Sequence, residues 1–149
     1  MIIRDLEPAD IRACVDITSI NWGFDIAKQA ETELREMHHS VQNWPPHYYV
    51  AEVDGTIVGW AGFRSAWMMT NVYEFIWINI HPFHQKSGVG TALTEKRIEE
   101  VQRRNGSVIL LMTQKPAFFD KFGFEALCTN DNWMLMRLRL APLVLGSRQ

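Results

Sequence analysis

Between Ile80 and Thr91 the chain reads Ile-His-Pro-Phe-His-Gln-Lys-Ser-Gly-Val-Gly-Thr, which gathers two glycines, a lysine and two hydroxyls near its end. The stretch follows an apolar run, Tyr73 to Ile80, and leads into a segment of helical composition. A strand, a short glycine-bearing turn and a helix, in that order, aim backbone N–H groups at one point beside a helix N-terminus. Unpaired donors and the helix dipole both favour negative charge there. The chemistry implied is capture of an anion, and a phosphate-bearing cofactor is the first ligand to consider.

Two phosphate-binding motifs fail on particular residues. A P-loop requires a lysine directly after its last glycine, and Thr91 stands after Gly90. A dinucleotide fingerprint requires a third glycine where Leu93 stands, and the first strand carries no such turn. The five histidines, His38, His39, His47, His81 and His84, form no HExxH pair or comparable ligand set, so no metal is implied. Cys14 and Cys128 have no metal-ligand spacing and read as free thiols of a reducing, cytoplasmic setting.

The elements that must position the glycine turn follow from pattern. Ile2 to Leu6 reads as a strand. Glu7-Pro8-Ala9-Asp10 opens a helix to about Asn21, Trp22-Gly23-Phe24 interrupts it, and Asp25 is placed to cap a second helix through about His39. Asn43-Trp44-Pro45-Pro46 then breaks the pattern, and Asp54-Gly55 between two apolar runs predicts a hairpin. The run from Phe75 to Ile80 is apolar on both faces, as in a central strand covered on both sides. The helix from about Gly88 to Arg104 is less regular: Val89, Leu93 and Val101 share a stripe that also contains Arg97. Asn105-Gly106 reads as its C-cap. A strand from Ser107 to Met112, a short helix around Pro116 to Lys121 ending at Gly123, and a late strand from Trp133 to Leu140 complete the chain. The order βααβββαβαββ predicts an α/β (α+β) fold with a mixed central sheet of about seven strands flanked by helices.

The 149 residues suit a single domain with a substantial core, and 47% apolar content argues against disorder. A net charge of −2 gives no pull toward nucleic acid or an anionic membrane. No apolar run approaches the ~20 residues needed to cross a bilayer, and Met1-Ile2-Ile3-Arg4-Asp5 lacks the pattern of a secretion signal.

Gln85-Lys86-Ser87-Gly88-Val89-Gly90 resembles the Q/R-x-x-G-x-G/A signature of the GNAT superfamily of acyl-CoA-dependent N-acyltransferases. Ile80-His81-Pro82 resembles the Val-x-Pro at the end of that family's fourth strand, and Phe118-Phe119-Asp120-Lys121-Phe122-Gly123-Phe124 its Phe-Tyr-Glu-Lys-x-Gly-Phe. The hairpin Val50 to Gly59, Ile2-Ile3-Arg4 and Met134 to Leu138 are similar to further parts of the family pattern, so the resemblance covers nearly the whole chain in order. It implies acetyl transfer from acetyl-CoA to a primary amine of a small molecule or peptide by direct attack.

The resemblance places the CoA diphosphate on the N–H groups of Gln85, Lys86, Ser87, Gly88, Val89 and Gly90, with Thr91 as a further donor. Pantetheine pairs with the backbone of Ile78, Asn79 and Ile80, where a free N–H would polarise the thioester carbonyl. An amine with a pKa near ~10.4 must lose a proton to attack. Glu74, six residues before Ile80, is the candidate base, against the plainer reading of a solvated strand start. Phe119 departs from the family's tyrosine, the acid that protonates the departing thiolate, although its ring still suits packing against the cofactor arm. The asparagine often found after the fifth strand is also missing from Met112 to Ala117. Acceptor-contacting positions fall on Trp22, Phe24, Trp67 and Trp133, with Met68, Met69 and Asn132 nearby, which suits an acceptor with an apolar body. Core packing is the plainer role for each of these. A homodimer is compatible with the resemblance. The missing tyrosine leaves a second reading open, a non-catalytic acyl-CoA-binding regulatory module.

Overall fold

The computed structural model describes residues 1–37, 45–67 and 69–141. Among the described residues, seven strands and four α-helices form in the order β1 (Ile2–Asp5), α1 (Ile11–Trp22), α2 (Phe24–Glu36), β2 (His47–Val53), β3 (Thr56–Ser65), β4 (Val72–Ile80), α3 (Val89–Arg103), β5 (Val108–Thr113), α4 (Pro116–Asp120), β6 (Glu125–Asn130) and β7 (Trp133–Arg139). The strands form one mixed sheet in the order β1-β2-β3-β4-β5-β7-β6, with β4 at its centre as its two apolar faces predict. β1–β2, β2–β3, β5–β7 and β6–β7 pair antiparallel, whereas Val72–Glu74 of β4 run parallel to Val108–Leu110 of β5. A parallel pair needs a long crossover, and the chain between β4 and β5 supplies it as α3.

The chain divides into two compact units: Met1–Arg64 with Ile76–Arg97, and Ser65–Phe75 with the chain from Ile98 onward. In the first unit, α1 and α2 bury Cys14, Ala30 and Leu34 with Tyr48, Val50 and Trp60 of β2 and β3. Asp54 (φ 49) and Gly55 (φ 80) form the predicted two-residue hairpin turn, and both left-handed angles suit a type I′ connection. Arg4 ties the start of β1 to this unit, bonding Asp10 at 2.8 Å and Glu52 at 3.0 Å. In the second unit, Phe75 packs on Phe124 with ring centres 6.0 Å apart, and β7 lies between β5 and the exposed edge strand β6.

One local expectation needs correction. Asp25 does not cap α2: the N-cap position belongs to Gly23, and Asp25 lies in the first turn, with no side-chain cap bond present. The reason is that α1 runs to Trp22, so the break is a single residue and α2 begins two positions earlier than expected. Asp25 still places a carboxylate near the positive end of the helix dipole. At the end of α3 the left-handed residue is Asn105 (φ 61), and the Gly106 N–H closes back on the Val101 carbonyl at 2.9 Å. The predicted continuation of α2 to His39 lies partly outside the described residues.

Candidate functional site

The glycine turn is built in three steps. The His81 N–H donates to the Val58 carbonyl of β3 at 2.8 Å, which carries the strand pairing one residue past β4. Pro82–His84 then make one 3-10 turn, capped by the His81 ring, whose Nδ1 accepts from the Phe83 N–H at 3.2 Å. Lys86 (φ 59) and Gly88 (φ 90) follow in the left-handed region, and the Ser87 hydroxyl donates to the His84 carbonyl. Left-handed residues leading into a helix turn successive N–H groups toward one concavity.

Helix α3 starts at Val89, and the Ala92 N–H bonds Gly88 O at 3.0 Å, as the first turn of a helix requires. The N–H groups before it must find partners outside the helix, at its positive end. Gln85, Lys86, Ser87 and Gly88 are all exposed. A side chain at Gly88 would meet nothing within 4 Å, so its glycine serves the backbone angle and not close packing. Val89, by contrast, is buried; a side chain added at Gly59 of β3 would come within 3.0 Å of Val89 and 2.9 Å of Ile80. The helix start is therefore seated tightly on β3 while its turn faces water.

The strand leading to the turn has its own construction. Backbone groups of successive strand residues alternate between the two edges. Because His81 faces β3, the groups of Ile78 and Ile80 line the opposite edge of β4. The Ile80 carbonyl accepts from Asn21 Nδ2 at 3.0 Å and from Gln85 Nε2 at 3.3 Å. Asn21 Nδ2 also donates to Asn79 Oδ1 at 3.3 Å. Asn79 is 1% exposed, and its Nδ2 has no hydrogen-bond partner among the described residues. A buried amide donor left without a partner marks a place for a ligand oxygen or an ordered water.

Trp77 is the irregular point of β4, at φ 53. A bulky residue in that region costs roughly 1–3 kcal/mol and persists only where its surroundings hold it. Here its indole N–H donates to Glu33 of α2 at 2.9 Å, and its ring lies 5.4 Å from that of Trp60.

The remaining predicted residues divide between the two units. Glu74 is half-buried in the second unit, in register with Leu110 and between the buried Tyr73 and Phe75. Phe119 is buried there too, edge-on to Phe118 at 4.9 Å and Phe124 at 5.6 Å. Trp67 (84% exposed) and Trp133 (37%) belong to the same unit. Trp22 (48%) and Phe24 (73%) belong to the first unit, where they flank Gly23 and lie beside Asn21. Met68 lies outside the described residues. Of the two thiols, Cys14 is buried and its pKa is pushed well up by burial, which removes it as a nucleophile; Cys128 is exposed on β6. No group of three metal-ligating side chains occurs among the described residues, and no described helix is long and apolar enough to cross a membrane.

Sequence reasoning missed Asn21 and the use made of Arg97. Nothing in the local pattern marks Asn21, which reaches residues 58 and 59 positions away. Arg97 did leave a signal, a charge at the spacing of the apolar stripe.

The sequence from residue 14 to 124 matches the model of the Acetyltransferase (GNAT) family. The chain belongs to that family. It is thereby an acyl-CoA-dependent N-acetyltransferase. Solved structures agree on the fold of this GNAT chain. A protein of Desulfovibrio desulfuricans described as of the GNAT family superposes with a TM-score of 0.82 at 20% identity, covering 94% of this chain and 99% of its own. An aminoglycoside 6'-N-acetyltransferase complexed with coenzyme A gives 0.79 at 18% identity, covering 95% and 98%. The ribosomal-protein-S18-alanine N-acetyltransferase of Escherichia coli gives 0.73 at 18% identity, covering 97% of each chain. No curated protein matches the sequence.

Proposed function

We propose that this chain, acting as one acetyltransferase domain, transfers the acetyl group of acetyl-CoA to a primary amine of a small molecule or peptide by direct attack. The observation that carries the reading is the left-handed Lys86–Gly88 turn running into α3 directly after β4. That turn suits a diphosphate: it is exposed, rich in backbone N–H groups, and adjoins both Lys86 and a helix N-terminus. Gln85 to Gly90 would hold the diphosphate, with Thr91 beside it, and the backbone edge of Ile78 to Ile80 would pair with the pantetheine amides. Bound there, acetyl-CoA supplies an activated acyl carbon.

Glu74 is the base we assign. It accepts a proton as the amine nitrogen bonds to the thioester carbon, and the carbon–sulfur bond then breaks to release CoA. Phe119 has no proton to give, so the thiolate takes one from the attacking amine or from solvent. Exposed Trp22 and Phe24 favour an acceptor with an apolar body. The two relatives named for an aminoglycoside and for a ribosomal-protein alanine indicate the breadth to test.

A thiol-release screen with acetyl-CoA over amino acids, small amines, antibiotics and peptide N-termini should reveal turnover with at least one class. Glu74→Gln should then lower kcat by at least ~100-fold while leaving acetyl-CoA affinity by calorimetry unchanged. Full activity in that variant would remove Glu74 as the base. Binding of acetyl-CoA without thiol release for any amine would favour the regulatory module instead.

A further inference from the structure

Arg97 is 1% exposed, in the middle of α3. Its position on the apolar stripe with Leu93 and Val101 would suit a leucine or methionine. A buried guanidinium pays a desolvation cost that an apolar side chain of similar volume avoids. Burial lowers the Arg97 pKa to about 9, which still leaves the group charged at neutral pH. Packing alone therefore does not account for arginine here.

The contacts of the guanidinium show a more particular arrangement. Nη1 donates to the Gly62 carbonyl of β3 at 3.0 Å and to the Trp77 carbonyl of β4 at 3.4 Å. Nε donates to the Leu93 carbonyl at 3.3 Å and Nη2 to the Thr94 hydroxyl at 3.4 Å, so α3 fixes the fork from its own side. The shorter bond anchors the group on β3, and the longer one reaches the backbone of the single left-handed residue of β4. Glu33 holds the side chain of that same residue, and Trp60 lies against its ring. Trp77 is thus restrained at its carbonyl, its indole N–H and its ring by three separate elements.

The residue immediately after this restraint is Ile78. A backbone turn at one strand residue sets the direction in which the next residues present their N–H and C=O groups. We infer that Arg97 is a positioning residue for the acyl donor: by holding the Trp77 carbonyl it fixes the Ile78–Ile80 edge on which pantetheine pairs. The inference rests on the donor-site reading above, and Arg97 itself touches neither substrate nor reacting atoms.

The test separates the two halves of the donor. Acetyl-CoA engages both the β4 edge and the glycine turn, whereas adenosine 3′-phosphate 5′-diphosphate, which lacks pantetheine, engages only the turn. Calorimetry on Arg97→Met should show acetyl-CoA binding weakened about tenfold, with the nucleotide fragment within about twofold of wild type. Arg97→Lys, which keeps the charge but loses the planar fork, should show the same split at about threefold. Hydrogen exchange without ligand should quicken over residues 77–80 in both variants and not over β2. Parallel weakening of both ligands, or no change in either, would overturn the inference, as would unchanged exchange over 77–80. If Arg97→Met does not fold, the lysine variant carries the same comparison. Wild-type protein that binds neither ligand would instead defeat the donor-site reading, and the inference with it.

Discussion

Trp77 and Gly88 both sit in the left-handed backbone region, one within β4 and the other in the turn that follows it, and they are furnished in opposite ways. Around Gly88 a side chain would find open space, so its conformation comes from glycine's own freedom. Around Trp77 the conformation is imposed, by Arg97 on the carbonyl, Glu33 on the indole and Trp60 on the ring. The anion turn is a local device that its own short segment can form. The bend in the strand is a tertiary device that exists only after α2, β3 and α3 are in place. The two halves of the proposed donor site therefore depend on different parts of the chain.

Replacing Trp77 by glycine puts this contrast under the heaviest load. Glycine relieves the backbone cost, about 1 kcal/mol, but removes the ring contact and the bond to Glu33. The net expectation is a loss of about 2–3 kcal/mol in urea unfolding. Unchanged or raised stability would mean that the bend is a local preference and that its partners are incidental. Gly88→Ala should cost less, about 1–2 kcal/mol, because the added methyl meets only backbone strain. Its ligand effect should be the reverse of that at Arg97, weakening acetyl-CoA and the pantetheine-free nucleotide together. A change confined to acetyl-CoA would show that the turn does not hold the diphosphate.

The same contrast explains what the sequence made legible. The Asp54-Gly55 hairpin, the run of β4 and the turn at Gly88 are each specified by residues within a few positions of one another, so pattern and turn chemistry suffice. In the sequence Trp77 is one residue of a run that is apolar on both faces, because its bend depends on partners 20 and 44 positions away. Asn21 escaped for the same reason. Arg97 stood out as a break in the stripe of α3, but the Gly62 and Trp77 carbonyls that explain it become neighbours only in the folded sheet. The Asp25 cap failed through a one-residue break at Gly23, since a carboxylate one position inside a helix looks in sequence much like one at its start.

The smallest effect tests whether the bend is shared among its partners or belongs to Arg97 alone. Glu33→Gln retains an acceptor for the Trp77 indole N–H but removes the charge, and Glu33 is only partly buried. A charge-assisted bond at such a site should lose about 0.5–1 kcal/mol. The expected result in urea unfolding is therefore a modest drop, clearly smaller than for Trp77→Gly. Acetyl-CoA should bind about twofold more weakly, and the nucleotide fragment should be unaffected, since only the strand end of the site is disturbed. The Arg97→Met, Glu33→Gln double variant should then fall below the sum of the two single losses in acetyl-CoA binding energy, because each bond restrains the same residue. Strict additivity would mean that Glu33 and Arg97 act on Trp77 independently, and the bend would be two adjacent restraints instead of one.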